Sequence, residues 1–375
     1  MNTLNLEREF PLEPALSYLN HAAVAPWPAR TGAAVRAFAD VNVHRGAADY
    51  EQWLRVDQQL RGQLQRLIGA PSSRNIALQK NTSEGLSVIA YGLDWQAGDN
   101  IVITDQEFPS NRIVWESLHP RGVTVTEANL SGDDPEGNII ASLRPETRLL
   151  AVSSVQYGTG LTLDLARLGR ACRERNILFS VDAIQSLGAL TFDVAECGAD
   201  FVVADGHKWM LGPEGIALLY VADSQLERLH LHQFGWHMVK ERGNYDLKTW
   251  EPATDAKRFE CGSPNMLGVH ALSASLSLLE QVGMPQVQAE LMSRVQHLQQ
   301  LLADHPSLEL LTDIDRPLRS GILTFRHRTL STPDLFQLLK ERDVVCAARG
   351  GGIRFSPHFY TPLQLLERAV GQIPA

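Results

Sequence analysis

From Asn75 to about Val221 the chain alternates short apolar runs with segments of helical periodicity, and no other feature narrows the possible folds so far. The runs are NIALQ, NIVIT, VTVTEA, RLLAVSSV, LFSVDA, DFVVAD and GIALLYV. Between several of them lie SEGLSVIAYGL, SNRIVWESL and LDLARLGRACRERN, the last with Leu165, Leu168, Ala171 and Cys172 at the spacing of one buried face. Strands separated by helices predict a mostly parallel, doubly wound α/β sheet with crossover helices. Upstream, EQWLRVDQQLRGQLQRLI places Leu60, Leu64, Leu67 and Ile68 on a common face, which predicts a helix docked on that core.

After Val221 the pattern changes. Residues 223 to 262 mix His, Trp, Gly and charge without periodicity, and a length of that kind suggests a functional loop. Two helical patterns follow, MLGVHALSASLSLLEQVG and PQVQAELMSRVQHLQQLLADH, meeting near Gly283 and Pro285, which break helical geometry. The remainder, from LELLT through SGILTFRH, TPDLFQLLKERD, VVCAA and GIRFS to TPLQLLERAV, reads as a smaller α+β domain. The expected organisation is a large domain over 26–283, a small C-terminal domain over 284–375, and an N-terminal segment, 1–25, packing with the small domain.

Charge and cysteine usage exclude several function classes. With 34 Lys+Arg against 43 Asp+Glu the net charge is −9, so no global basic field exists to hold a phosphate backbone, and nucleic acid is not an expected partner. The start MNTLNLEREFPLEP lacks the basic and apolar regions of a signal peptide, and no stretch approaches the roughly 20 apolar residues of a membrane span. Cys172, Cys197, Cys261 and Cys346 form no CxxC pair and read as free thiols of a reducing compartment. A cytoplasmic protein is expected. His230, His232 and His237 match no metal-ligand spacing, and no metal is expected.

Two segments concentrate chemistry: SVDAIQSLGAL, Ser180 to Leu190, and ADGHKWMLGPEG, Ala204 to Gly215. Each puts polar groups at the C-terminal end of an apolar strand, where open α/β sheets bind ligands. Singly, Asp182 is a plausible strand-end cap and Lys208 a plausible surface amine. Together, a carboxylate and a lysine at neighbouring strand ends suit a pyridine cofactor, whose ring nitrogen one holds protonated while the other forms a Schiff base. Asn81, Thr82 and Ser83 precede a helical pattern, where hydroxyls and free backbone N–H groups serve equally as a helix cap and as a phosphate cradle.

These motifs, with YLNHAAVAPWP, KNTSEGLSV, DQEFPSN, VSSVQYGTG, RFECGSPN and GIRFSPHFY, resemble in order those of the class V, fold-type I pyridoxal phosphate enzymes. That family includes cysteine desulfurases, selenocysteine lyases, isopenicillin N epimerase-like proteins and some aminotransferases, and the resemblance covers nearly the whole chain. It implies pyridoxal 5'-phosphate as cofactor and an amino acid as small-molecule substrate. Lys208 matches the Schiff-base lysine and Asp182 the partner of the ring nitrogen. Gln185 and Gln156 match residues near the ring hydroxyl. Thr82 and Ser83 match phosphate ligands, and His207 belongs to the same cofactor-binding set. Ser263 matches a hydroxyl lent to the phosphate of a neighbouring subunit, which implies a homodimer with shared sites. Phe108 stands where relatives stack a residue, commonly His, on the ring; an aromatic face stacks but transfers no proton. Proton traffic then rests on Lys208, with His207 and His21 as alternatives. Arg354 matches the arginine that takes the substrate α-carboxylate, with Arg349 a second candidate nearby. His21 and Trp236 are further substrate-side candidates, with His237 beside Trp236.

Two departures bear on the reaction. Desulfurases need a mobile nucleophilic cysteine shortly before the carboxylate arginine, and here VVCAARGGGIRF puts three glycines in its place and Cys346 inside an apolar run. A protein-bound persulfide is therefore not expected. Asp205 stands where several relatives have a serine against the phosphate, and a carboxylate facing a dianion would be repelled. The expected activity is attack at Cα of an amino acid, aminotransferase-type, with β-elimination at a carbon–sulfur bond or epimerisation as alternatives. The non-enzyme alternative, a degenerate cofactor-binding protein, is opposed by the joint presence of Lys208, Asp182 and Arg354.

Overall fold

In the computed structural model, which describes residues 4–316 and 319–375, the seven apolar runs all become strands of one sheet. They lie side by side in the order Ile76–Gln79, Ala217–Val221, Phe201–Asp205, Leu178–Asp182, Thr147–Ser153, Asn100–Thr104, Thr124–Ala128. Only Ala217–Val221 runs against its neighbours, because residues 206–216 are too few to carry the chain back through a crossover helix. Strand Ile76–Gln79, opposed to it in turn, shares the direction of the parallel set. Gln79, Thr104, Ser153, Asp182 and Asp205 therefore finish at one edge of the sheet.

Alternate residues of each strand serve opposite faces, as pleating requires. Leu150 and Val152 join one buried cluster while Leu149 and Ala151 join the other, so both faces are covered and the runs carry no polar alternation. Helix Leu165–Glu174 turns Leu168, Ala171 and Cys172 inward as their spacing predicts. Helix Tyr50–Leu67 buries Trp53, Leu60 and Leu64. Helices Ala29–Arg45 and Pro135–Ser142 have no counterpart in the periodicity reading. The first buries only Thr31, whose hydroxyl meets that of Ser275 at 2.7 Å, so its sequence carries no apolar stripe to reveal it.

A second, antiparallel sheet orders Ala347–Arg349, Gly352–Phe355, Leu323–His327 and Leu308–Leu310. The run VVCAA is divided at buried Cys346: Val344–Val345 pairs with Ser17–Tyr18, and Ala347–Arg349 enters the small sheet. The N-terminal segment is held there further by Phe10 stacked on Tyr360. Helices Met266–Val282 and Met284–Asp304 meet at Gly283, whose φ of +87° permits the change of direction. The first packs on Ala29–Arg45 and Tyr50–Leu67, the second on Leu363–Val370. Residues 227–255 are without helix or strand, as the absence of periodicity predicts. No helix among the described residues is long and apolar enough to cross a membrane.

One buried ionic cluster ties the edge of the large sheet to the segment after this irregular stretch. Arg61 donates to Asp57 (2.9 Å), to both oxygens of Glu260 (2.6 and 2.9 Å) and to the Ile76 carbonyl (2.9 Å). Glu260 also accepts from the Leu78 N–H at 2.9 Å, and His237 lies 3.7 Å from it. Burial works to raise the Asp57 pKa, but the Arg61 contacts win and hold it below the usual carboxylate range. Arg61→Ala removes the cation shared by two buried carboxylates, leaving Asp57 only Lys257 at 3.8 Å, and should cost about 3–5 kcal/mol. That loss would appear as a lower urea midpoint at unchanged slope; an unchanged midpoint would show that the cluster is not holding this edge.

Candidate active site

The converging strand ends set the site. Asp182 closes its strand in register with Ser153 and Val203, is 2% exposed, and accepts from the Ile184 N–H at 3.0 Å. Lys208 follows the neighbouring strand by three residues and is 8% exposed. Burial pushes the Asp182 carboxyl well above its ordinary range, opposed by the Ile184 N–H and the Lys208 charge. Burial likewise pushes the Lys208 amine down; Asp182 opposes this and Arg354 adds to it. A carboxylate and an amine so displaced are poised to exchange protons with a bound group.

The turn that carries Lys208 is locked by its neighbours. Gly188 has φ of +94°, and a Cβ there would run into the Trp209 carbonyl, so the segment after Asp182 and the turn after Lys208 touch backbone to backbone. Leu211 sits at φ +62°, a region that costs a leucine about 1–3 kcal/mol. It is held there by full burial and by its N–H donating to the Lys208 carbonyl at 3.0 Å.

Around this pair the structure gathers most of the residues marked in the sequence. Lys208 Nζ lies 5.6 Å from the centroid of the Phe108 ring, which is 40% exposed and so presents an open aromatic face. The Tyr157 ring meets Phe108 edge-on at 5.1 Å, and the Tyr157 carbonyl accepts from Arg354 Nη1 at 2.7 Å. Arg354 is 2% exposed, its Nε has no partner, and no carboxylate among the described residues pairs with it. Burial first and Arg349 second push its pKa down to about 10.

Thr82 opens helix Thr82–Gly92, whose cap is Asn81, accepting from the Glu84 N–H at 2.9 Å. Its hydroxyl is buried without a partner, while exposed Ser83 bonds Ser110 at 2.8 Å. Cap and open hydroxyl thus occur together, as the shared geometry allows. Asp205 Oδ1 lies 3.0 Å from His207 Nδ1, so this carboxylate faces an imidazole. Gln185 is held at both ends, donating to the Ala22 carbonyl (3.0 Å) and accepting from Trp209 (2.8 Å), with one N–H left over. Gln156 donates to Thr104 (3.2 Å) and leaves a buried Oε1 with no partner.

Four residues are placed otherwise. His21 is fully buried with both ring nitrogens engaged, by the Ser356 carbonyl (2.8 Å) and the Tyr360 hydroxyl (2.7 Å). Burial holds its pKa down to about 4, so it braces the N-terminal segment as a neutral ring and offers a substrate no free nitrogen. Trp236 lies in a cleft of about 760 Å³ with Phe234, Tyr245 and Trp250, away from the Lys208 cluster within this chain. His237 belongs to the buried ionic cluster, receiving a hydrogen bond from Arg242 at 3.1 Å. Ser263 is exposed, on a cleft shared with Lys80 and Glu84. Among the described residues no three His, Cys, Asp or Glu side chains gather as a metal site; His230 bonds Asp94 and His232 the Tyr91 carbonyl.

Glu107 was not marked in the sequence. It is buried, accepts from Thr104, Asn111 and the backbone and side chain of Ser153, and is pushed upward in pKa by burial against those bonds. Its place beside Phe108 was the only signal.

The orphaned Thr82, Gln156 and Arg354 atoms, an open aromatic face and a dehydrated lysine are a donor set that pyridoxal phosphate fits: an anion, a ring, ring substituents and a reactive carbonyl each find a matching group. The comparisons agree. The aminotransferase class-V family model matches residues 17–359. A probable cysteine desulfurase of Methanothermobacter thermautotrophicus is 30% identical over 401 aligned residues, covering 100% of this chain and 98% of that protein. Isopenicillin N epimerase of Streptomyces clavuligerus is 29% identical, covering 97% of this chain and 96% of its own length. The crystal structure of the cysteine desulfurase CsdA from Escherichia coli superimposes with a TM-score of 0.88 at 25% identity, over 99% of this chain and 98% of that one. The chain therefore belongs to the aminotransferase class-V family and is a fold-type I enzyme whose cofactor is pyridoxal phosphate.

Proposed function

We propose that the protein acts at Cα of an amino-acid substrate, aminotransferase-type, with Lys208 as the residue that holds the cofactor and moves the proton. The observation that carries this reading is Arg354: a buried guanidinium that gives one bond to a carbonyl, has no acidic partner, and lowers the Lys208 pKa through its charge. Burying a cation unpaired is costly, and a planar α-carboxylate docking on its fork removes that cost while aligning Cα near Lys208. Asp182 would face the ring nitrogen, Phe108 the ring, and Gln156 and Gln185 the ring hydroxyl. Thr82 and Ser83, with the start of their helix, would take the phosphate, and His207 would lie alongside. Asp205 Oδ1 faces His207 Nδ1 at 3.0 Å, which would turn this carboxylate towards the imidazole and away from the phosphate.

When bound, pyridoxal phosphate supplies an electron sink for charge developing at Cα. The chain supplies the rest. Burial keeps a fraction of Lys208 neutral near neutral pH, so that its amine accepts a proton from Cα and returns it. Phe108 stacks without competing for that proton, and His21 is committed to Ser356 and Tyr360.

A second reading, elimination at a carbon–sulfur bond with the sulfur leaving as a small molecule, is favoured over persulfide chemistry by the thiols themselves. Burial pushes Cys172 and Cys346 up to about 12 and Cys197 up to about 11, so none of these three is a thiolate near neutral pH, while Cys261, the least buried, donates its Sγ–H to Gln233 Oε1 at 3.4 Å. The residues from Ala347 to Ile353, before Arg354, include no cysteine. Epimerisation shares the same first proton transfer and differs only in the face to which the proton returns. A homodimer is supported by the surface: Phe234, Tyr245 and Trp250 are 62%, 73% and 58% exposed in one irregular segment, an apolar area that a second copy would cover. Such packing would bring Ser263 of each copy toward the other's phosphate.

Borohydride reduction of the yellow protein should leave the cofactor covalently on Lys208, and Lys208→Ala should lose both the adduct and at least about 10³-fold in turnover with amino acids and 2-oxo acids. An adduct on another lysine would reject the assignment, and sulfide or inverted amino acid in place of new oxo acid would select an alternative reaction. Replacing the four cysteines singly by Ala should keep turnover of any accepted substrate within a few fold. Complete loss in one variant, with added sulfur on that cysteine in the parent, would restore a persulfide mechanism. Sedimentation should show a dimer at micromolar concentration, and a fully active monomer would reject the shared site.

A further inference from the structure

We propose that Arg349 selects amino acids that carry a second anionic group on the side chain, so that the preferred substrates are acidic amino acids. This rests on the reading of Arg354 as the α-carboxylate site and adds a second contact to it.

The hairpin that carries both arginines fixes their relation. Strand Ala347–Arg349 pairs antiparallel with Gly352–Phe355, Ala347 opposite Arg354 and Arg349 opposite Gly352. Residues 347, 349, 352 and 354 thus project from one face, and Arg349 is the diagonal neighbour of Arg354, a spacing of about 7–8 Å that long side chains bridge. The residues directly opposite the two arginines are alanine and glycine, so nothing bulky separates the guanidinium groups.

The turn between the strands holds this face at the site. Gly350 and Gly351 have φ of +60° and +82°, the paired left-handed conformations of a two-residue hairpin turn. A Cβ on Gly350 would collide with the Gly158 carbonyl, and one on Gly158 would lie 3.3 Å from the Gly350 Cα. Hairpin tip and loop therefore touch through bare backbone. Gly158 follows Tyr157, which bonds Arg354 through its carbonyl and meets Phe108 through its ring. Arg349, next to Gly350, is exposed beside this contact.

Neither arginine has an acidic partner among the described residues. Arg354 donates only to the Tyr157 carbonyl, and Arg349 only to the carbonyl of its own neighbour Ala348, at 2.8 Å. Two like charges on one face, with no counter-charge, make a concave field that favours anions. Their mutual effect is visible in Arg354, whose protonated form is disfavoured first by burial and then by Arg349. One α-carboxylate satisfies Arg354. The exposed and movable Arg349 is left to meet a second carboxylate, or an anion of similar shape, further along the substrate.

The test compares isosteric pairs on the cofactor-loaded enzyme. L-glutamate against L-glutamine, and L-aspartate against L-asparagine, are titrated while the visible absorbance of the bound cofactor reports binding, and kcat/KM is measured where turnover follows. The acidic member of at least one pair should bind about 10–100-fold better, as a charge-assisted hydrogen bond provides. That ratio should shrink with rising salt, collapse towards unity in Arg349→Gln and persist in part in Arg349→Lys. A wild-type ratio near unity, or a ratio unchanged in Arg349→Gln because both members weaken equally, would overturn the proposal and assign Arg349 to the α-carboxylate or to no ligand. If no amino acid of either pair disturbs the spectrum, the amino-acid reading itself fails, and a normal spectrum in Arg354→Ala would show that the cofactor site survives that failure.

Discussion

Three charged groups are kept out of water where the parallel strands end, and the rest of the architecture serves that constraint. Asp182, Lys208 and Arg354 are each less than one-tenth exposed, and burial moves each of them towards its neutral form. Dehydrating such groups costs several kcal/mol apiece unless partners compensate. Here compensation inside the chain is incomplete by design: Asp182 has one backbone N–H, Arg354 one carbonyl, and the remaining lone pairs and donors point into the site. On the proposed reading, a cofactor with a cationic ring nitrogen and a substrate with a carboxylate would complete what the chain leaves open, so that ligand binding and relief of buried charge would be one event.

Rigidity around those groups comes from close backbone contact rather than from many side-chain bonds. Gly188 against Trp209, Gly350 against Gly158 and the left-handed Leu211 each fix a turn whose displacement would move a reactive group. The two sheets are thereby joined across the site: the large sheet brings Asp182 and the turn with Lys208, the small sheet brings Arg354, and the 156–160 loop lies between them. Glu107 extends the same logic, since its five hydrogen bonds, from Thr104, Asn111, Gln156 and the backbone and side chain of Ser153, tie the ends of two strands to the Phe108 segment.

The sheet was legible because buried parallel strands must be short and apolar, and all seven runs, NIALQ to GIALLYV, became strands within one or two residues of their sequence bounds. The helix Ala29–Arg45 was not, since it buries almost nothing apolar and so leaves no period. The order of motifs singled out Lys208, Asp182 and Arg354, and all three are buried, Asp182 at the end of its strand, Lys208 in the turn after the next and Arg354 within the small sheet. His21 was misleading: a histidine in a motif looks like a proton carrier, and only three-dimensional packing on Ser356 and Tyr360 commits both of its nitrogens. Asp205 was ambiguous for the converse reason, since its partner His207, although two residues away, is reached only when the turn is built. Trp236 and Ser263 belong to surfaces whose meaning depends on a second molecule, and no single chain can display it.

The short hairpin before Arg354 explains two features at once. A longer loop there could carry a mobile thiol over the cofactor; two left-handed glycines instead close the turn tightly and press it on Gly158, so the segment has no length with which to swing. The same tightness keeps the backbone of Arg349 in fixed register with that of Arg354, so that two cations project from one face of the hairpin. On the proposed reading, exchanging reach for charge would shift what the site can recognise, from a sulfur atom that must be captured to an anion that must be held. On that same reading, the reaction at Cα would rest on Lys208, while selection among substrates would be decided at the far end of the side chain, where the two guanidinium groups part.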